Sequence, residues 1–194
     1  NDVDEDDDDD GWLPPSGGGD GGEDSWGDGP GGSEVIADET PCVDQKPAGT
    51  DLGKLNDMAK LTAIKLGNLQ DDTGWEWGAL IYRGADGNLY VTPPITSQDY
   101  DSLSVAVSLP GGSHVVGYVH THPVSDNTDD RRPSPEDRDF LNQMSNDSSG
   151  TVTGDPNMLL YVVTKDQPLG TSPDYKTYVY DKSEWDGDDP GCTL

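Results

Sequence analysis

Apolar residues that recur at three- and four-residue steps predict a first helix over residues 51–69. They form a single stripe, which consists of Leu52, Leu55, Ala59, Ala63 and Leu66. Thr50 is the expected N-cap of this helix, and the polar run 71–74 is expected to end it.

Short apolar runs separated by turn-forming residues predict strands along the rest of the chain. They cover residues 75–83, 89–92, 102–109, 114–120, 158–164 and 176–181. A second helix is predicted over residues 134–144, between the fourth and fifth of these strands. This order favours the α/β (α+β) class, with a curved, mainly antiparallel sheet flanked by helices.

Residues 1–40 differ sharply in composition from the remainder of the chain. They hold 15 of the 39 acidic side chains and no Lys or Arg, and glycine-rich runs interrupt them. We expect an extended acidic segment, an assembly arm or a linker, ahead of a globular domain over residues 41–194. Trp12, Leu13 and Trp26 are its large apolar anchors, so a neighbouring subunit, bound cations or attached glycan would be needed to order it.

The net charge of −28 limits the partners of this chain. Phosphate backbones and anionic lipid surfaces would be repelled, so we expect no binding to nucleic acid. No apolar run approaches the roughly 18 residues of a membrane-spanning helix, so we expect no membrane insertion. The chain begins at Asn1 with no hydrophobic leader, which fits either a secreted protein whose export signal has been removed or a trimmed chain.

Two cysteines flank the predicted globular domain. Cys42 and Cys192 could form one disulfide that ties its two ends together, or they could be two unpaired buried thiols.

Two further segments suggest weaker binding or modification sites. Carboxylates at alternating positions, on Asp4, Asp6, Asp8 and Asp10, resemble part of a calcium loop but lack the distal glutamate of an EF-hand. A solvated charge run is the usual alternative. Asn146 begins a lone glycosylation sequon in a predicted polar loop.

His120 and His122 are the most informative pair in the sequence. Their spacing of two puts both imidazoles on one face at the end of an apolar strand. Asp137 follows in the first turn of the second helix, where backbone N–H groups favour an ionised carboxylate. Three such ligands leave one tetrahedral position open, which is typical of catalytic zinc sites. Asp137 could instead serve only to cap the helix.

Glu76 and Ser134 are the candidates for supporting chemistry. Glu76 lies at the start of a strand expected beside the histidine strand, where burial would raise its pKa and suit it to act as a general base. A solvent-facing glutamate at a strand edge is the alternative. Ser134 has capping-box spacing to Asp137 and could also donate a hydrogen bond into the site.

Three segments together resemble the JAMM signature of the JAB/MPN metallopeptidase superfamily. They are residues 76–82 with the early glutamate, residues 117–123 with His-x-His-Pro, and residues 133–137 with Ser-x-x-Asp. The chain is most similar to the JAB-like domains of unknown function in bacterial RHS-type and other secreted proteins. This resemblance covers about residues 50–182.

The resemblance implies a role for each of the matching residues. His120, His122 and Asp137 would be zinc ligands, Glu76 the general base, and Ser134 a stabiliser of the tetrahedral intermediate in the hydrolysis of amide or isopeptide bonds. The chain departs from the superfamily in the long separation of Pro123 from Ser134, where residues 124–133 would form a polar loop over the site.

Three functional hypotheses follow. The first is an extracellular fibre or filament subunit, a homo-oligomer built on a JAB/MPN-like domain that retains zinc and docks its N-terminal segment on neighbouring subunits. The second is a zinc-dependent peptidase or isopeptidase, such as a secreted effector or toxin domain, acting on a peptide substrate. The third is a calcium- or glycan-binding surface module with a relict metal site.

Overall fold

A mixed six-stranded sheet forms the centre of the fold. The computed structural model describes residues 43–98, 107–122, 131–146, 152–165, 175–184 and 191–194. In chain order the strands are β1 (Gly78–Arg83), β2 (Leu89–Val91), β3 (His114–Thr121), β4 (Thr153–Lys165), β5 (Tyr175–Tyr180) and β6 (Cys192–Thr193). They are arranged in the order β2-β1-β3-β4-β5-β6. Only the pairing of β3 with β4 is parallel among these strands.

One helix covers each face of this sheet. Helix α1 (Leu52–Thr73) buries Leu55, Ala59 and Leu66 against side chains on one face, such as Val119. Helix α2 (Pro135–Asn146) buries Leu141 and Met144 on the other face. The predicted α+β class is thereby confirmed. Neither of these helices is long and apolar enough to cross a membrane.

Both ends of α1 differ from the prediction. The N-cap is Asp51 rather than Thr50, because the Asp51 side chain accepts a hydrogen bond from the backbone N–H of Lys54 at 3.2 Å. The helix also continues beyond residue 69 to Thr73 and ends at Gly74, whose φ of 74° suits a residue without Cβ. Residues 71–73 of the polar run therefore form the last turn of the helix, and Gly74, the last residue of the run, ends it as predicted.

Several strand boundaries were also predicted wrongly. Residues 75–77 precede β1 rather than belonging to it. Within the predicted strand 102–109, the described residues 107–109 have no strand structure, and the others lie outside the described ranges. Strand β4 begins at Thr153, earlier than predicted, and the short β6 was not predicted. The pairing of β3 with β4 is irregular at this point, because Val115 pairs with Gly154 whereas Gly117 pairs with Leu159.

The C-terminal strand carries a covalent link. Cys192 in β6 is disulfide-bonded, and none of the described cysteines is free. The chain has one other cysteine, Cys42, which lies just outside the described residues, so the pairing itself stays a prediction. Val43 beside it is 4% exposed and belongs to the α1-side core.

Candidate metal centre

Strand β3 delivers the two histidines to the face of the sheet that α2 covers. Tyr118, which shares that face by alternation, lies in the α2-side core, whereas Val119 lies in the α1-side core. His122 follows the last residue of β3, and its N–H still donates to the Val163 carbonyl at 2.9 Å. Backbone pairing therefore holds this segment in the sheet. Both histidines are buried, since His120 is 1% exposed and His122 is 8% exposed.

The three predicted ligands converge on one point. The Nε2 atoms of His120 and His122 are 2.9 Å apart, and Asp137 places Oδ1 3.2 Å from the first and Oδ2 3.3 Å from the second. Ligands at a Zn–N distance of about 2.0–2.1 Å in a tetrahedron lie roughly 3.3 Å apart. The separations in this structure are close to that value, so the donor set fits a zinc ion.

A capping box holds Asp137 at the start of α2. The backbone N–H and the hydroxyl of Ser134 both donate to Asp137 Oδ2, each at 2.8 Å. In return, the Asp137 N–H donates to Ser134 Oγ at 3.1 Å. Helix capping by Asp137 is therefore compatible with its orientation toward the histidines, and the Ser134 hydroxyl donates to this candidate ligand.

The protonation states suit metal ligation. Burial lowers the pKa of His120, and although the nearby Asp137 charge opposes this, the imidazole favours its neutral form. Burial of Asp137 acts to raise its pKa, but the two histidines outweigh burial and hold that pKa well below the usual range. Neutral imidazoles with an ionised carboxylate are the forms that bind metal ions.

The second nitrogen of His120 gives an independent observation. Nδ1 is buried and has no hydrogen-bond partner among the described residues. All polar contacts of this ring therefore lie at Nε2, the atom that faces His122 and Asp137. A ring that binds a metal through Nε2 carries its proton on Nδ1, so the arrangement is consistent with ligation.

Glu76 is buried close to this centre. It is 7% exposed and lies two residues before Gly78, which pairs with His120. The adjoining Trp77 accepts a hydrogen bond from the Thr121 N–H at 2.9 Å, so the segment stays aligned with β3. Burial first, and then the charges of Asp137 and Glu76, raise the pKa of Tyr118, which places the Glu76 carboxylate in the electrostatic neighbourhood of the site.

Sequence reasoning missed three residues that contact the histidines or their neighbours. Gln70 Nε2 donates to the His122 carbonyl at 2.8 Å, and Gln70 is 6% exposed. Tyr118 stacks on His120, and Phe140 packs against Tyr118. Gln70 lies one turn beyond the apolar stripe of α1, and Tyr118 lies two residues before His120 on the same face of β3. The sequence pattern could therefore have indicated both positions.

The other predicted sites are not brought to this centre. Asn146 is the exposed last residue of α2 rather than part of a loop, and its glycosylation stays a prediction. The possible calcium ligands Asp4, Asp6, Asp8 and Asp10 lie outside the described residues, as does most of the 124–133 segment. Residues 131–133 lead directly into α2, and the Arg131 carbonyl accepts a hydrogen bond from the Tyr180 hydroxyl.

Comparisons with protein families, with characterised proteins and with solved structures found no significant match to this chain. The geometry of the site therefore carries the functional argument.

Proposed function

We propose that this chain is a zinc-dependent hydrolase of amide or isopeptide bonds with a JAB/MPN-like domain. The observation that carries the proposal is the convergence of His120, His122 and Asp137 in a largely buried cluster, with ligand atoms all within 4.8 Å of one another. Among the described residues no other group of histidine, cysteine and acidic side chains forms such a cluster.

Each residue contributes a separable task. His120 of β3 and His122 directly after it supply nitrogen ligands, and Asp137 supplies a carboxylate from α2. Ser134 keeps the second oxygen of that carboxylate in place with two hydrogen bonds. A zinc ion held there would lower the pKa of a water molecule and polarise the carbonyl of the scissile bond.

Glu76 would move the proton. It is 7% exposed, so bulk water has little access to its carboxylate. In the proposed reaction Glu76 accepts a proton from the attacking water and passes it to the departing amine nitrogen. This amine could be a peptide α-amine or a lysine ε-amine.

Metal analysis tests the ligand set. The purified wild type should contain one zinc per chain, and His122→Ala should lose it. His114→Ala is a matched control, because His114 is the remaining histidine of the chain and is exposed at the first residue of β3. Absence of stoichiometric zinc from the wild type, or its retention by His122→Ala, would contradict the proposal.

A hydrolysis assay tests the base. Wild type and Glu76→Gln would be incubated with a peptide library and with lysine-linked isopeptides, and new termini would be counted by mass spectrometry. Glu76→Gln should keep its zinc and lose roughly 10²- to 10⁴-fold in rate. Glu136→Gln, an exposed change in the first turn of α2, should leave the rate unchanged.

As a second proposal, this chain is a subunit of an extracellular assembly of identical copies. Four large apolar residues are exposed on α1 and the edge strand β2, namely Leu61, Ile64, Tyr90 and Val91. An edge strand with neighbouring apolar side chains is a surface that another copy could cover. Light scattering on chains with and without residues 1–40 tests this proposal, and a monomer in both cases would contradict it.

A further inference from the structure

Four rings form a continuous stack that ends at the candidate metal centre. His122 meets the edge of His120 with ring centroids 4.7 Å apart. His120 lies almost parallel to Tyr118, at 4.9 Å and an interplanar angle of 8°. Phe140 of α2 then packs against Tyr118 at 5.0 Å and 58°. These are preferred offset and tilted geometries for aromatic pairs.

The stack joins the two elements that supply the ligands. Tyr118 stands on β3, two residues before His120. Phe140 lies on α2, three residues after Asp137. Each aromatic residue is therefore the next residue on the same face of its strand or helix as a proposed ligand. The contact between Tyr118 and Phe140 therefore fixes how closely the helix that bears the carboxylate approaches the strand that bears the imidazoles.

His120 needs such a contact more than a typical metal ligand does. The ring nitrogen that does not bind the metal usually donates to a carboxylate or carbonyl, which sets the orientation of the imidazole. His120 Nδ1 has no such partner among the described residues. The flat face of Tyr118, itself 2% exposed, lies against the His120 ring instead.

We propose that Tyr118 and Phe140 are positioning residues for the metal centre and that Tyr118 replaces the missing hydrogen bond to His120. This inference rests on the proposed zinc site. The aromatic ring carries out the task, and the phenolic hydroxyl does not. Removing the ring should therefore loosen the ligand geometry, whereas removing only the hydroxyl should not.

The experiment compares Tyr118→Leu with Tyr118→Phe in the full chain. Zinc affinity would be measured by competition with a chelator, and ligand geometry by the visible absorption of the Co²⁺-substituted protein. Tyr118→Leu should weaken zinc binding about tenfold or more and broaden the Co²⁺ bands. Tyr118→Phe should match the wild type in both measurements.

Tyr82→Leu is the matched control. Tyr82 packs on the same side of the sheet, but its ring stacks on Tyr90, away from the histidines. This variant should lose stability without any change in the Co²⁺ spectrum. Should Tyr118→Leu fail to fold, Phe140→Leu, at a partly buried position, should show a smaller loss of zinc affinity of the same kind.

The outcomes separate this inference from the proposed function. A wild type that binds no zinc would refute the metal site itself. A wild type that binds zinc, with Tyr118→Leu or Phe140→Leu equal to it in affinity and spectrum, would refute the positioning role alone. Equal losses in Tyr118→Phe and Tyr118→Leu would also refute it, because they would assign the task to the hydroxyl.

Discussion

Gln70 shows how a single side chain can act on the centre from the far side of the sheet. It belongs to α1, on the face opposite the histidine rings, yet its amide donates to the His122 carbonyl. His122 lies just beyond β3, where regular pairing on that strand ends. The hydrogen bond from Gln70 therefore fixes the backbone of His122, a proposed ligand, at the end of the strand, where pairing could otherwise be lost.

Replacing Gln70 by Leu should weaken zinc binding without removing any ligand. The His122 carbonyl would lose its buried donor, at a cost of roughly 1–3 kcal/mol in stability. Zinc affinity should fall about tenfold, as it does when other outer-shell partners are lost. Titration with a chelating indicator measures this, and Gln143→Leu on the exposed side of α2 is the control. Equal affinity in both variants would exclude a positioning role for Gln70.

The candidate ligands could be predicted residue by residue because their positions follow from short-range spacing in the sequence. Two histidines two residues apart share a face of a strand, and an aspartate three residues after a serine is typical of the first turn of a helix. Gln70 was missed because the predicted α1 ended at residue 69, although its position continues the buried stripe of the helix. Its role depends on how the helix crosses the sheet.

At the scale of elements, a glycine sets the distance between α1 and β5. A Cβ added to Gly67 would lie 2.5 Å from the Tyr175 ring, which is too close for a nonbonded contact. The Tyr175 hydroxyl in turn donates to Asp71, one turn further along the helix, at 2.6 Å. The ring is thereby held against the helix, and Gly67 provides the space that it needs.

Gly67→Ala should consequently destabilise the protein, although Ala usually stabilises a helix interior relative to Gly by about 1 kcal/mol. We expect a net loss of roughly 1–3 kcal/mol from the overpacking. Gly53→Ala is the control in the same helix, because its added Cβ would meet only Asp51, at 3.4 Å. Urea denaturation measures both, and a stabilised Gly67→Ala would show that Tyr175 can move aside.

Asp71 also gives a pH-dependent contribution to stability. Burial acts to raise its pKa, but hydrogen bonds from Lys165 and Tyr175 outweigh this and lower the pKa below its ordinary value of 3.8. A depressed pKa means that the stabilisation is complete above the unfolded-state value and is lost as the pH falls through the lower folded-state value.

Asp71→Asn should therefore lower the free energy of unfolding by about 0.5–1 kcal/mol near neutral pH. The value is modest because the ion pair of Asp71 with Lys165 is partly exposed. The difference from wild type should shrink as the pH falls below 3.8. Denaturant titrations at several pH values measure it, with the exposed neighbouring change Asp72→Asn as the control. A difference that grows on acidification would contradict the assignment.

The elements that sequence periodicity predicted well are those whose apolar pattern is uninterrupted. Strand β3 and the middle of α1 are of this kind. The end of α1 was misjudged because Lys165 and Tyr175, which hold Asp71 in the last turn, are distant in sequence. The start of β4 was missed for a similar reason, since Thr153 joins the sheet by pairing with His114.

At the scale of the whole molecule, the bond at Cys192 bears on global stability. If its partner is Cys42, the bridge closes a loop of about 150 residues and should contribute roughly 2–4 kcal/mol. Reduction, or Cys192→Ser, should lower the melting temperature accordingly. Thermal unfolding with and without reductant measures this, and reductant should have no effect on Cys192→Ser. An unchanged wild type would show that the bond adds no stability.

The proposed ligands lie on β3, directly after it and on the next helix along the chain, whereas the proposed base Glu76 lies in the segment just before β1. The proposed metal retention therefore depends on β3 and α2, and the proposed turnover depends in addition on the segment that carries Glu76. As denaturant is added, hydrolysis should disappear before zinc is released. If the proposed function is correct, a preparation with full metal content could thus still contain a substantial inactive fraction, and zinc stoichiometry alone would overstate its activity.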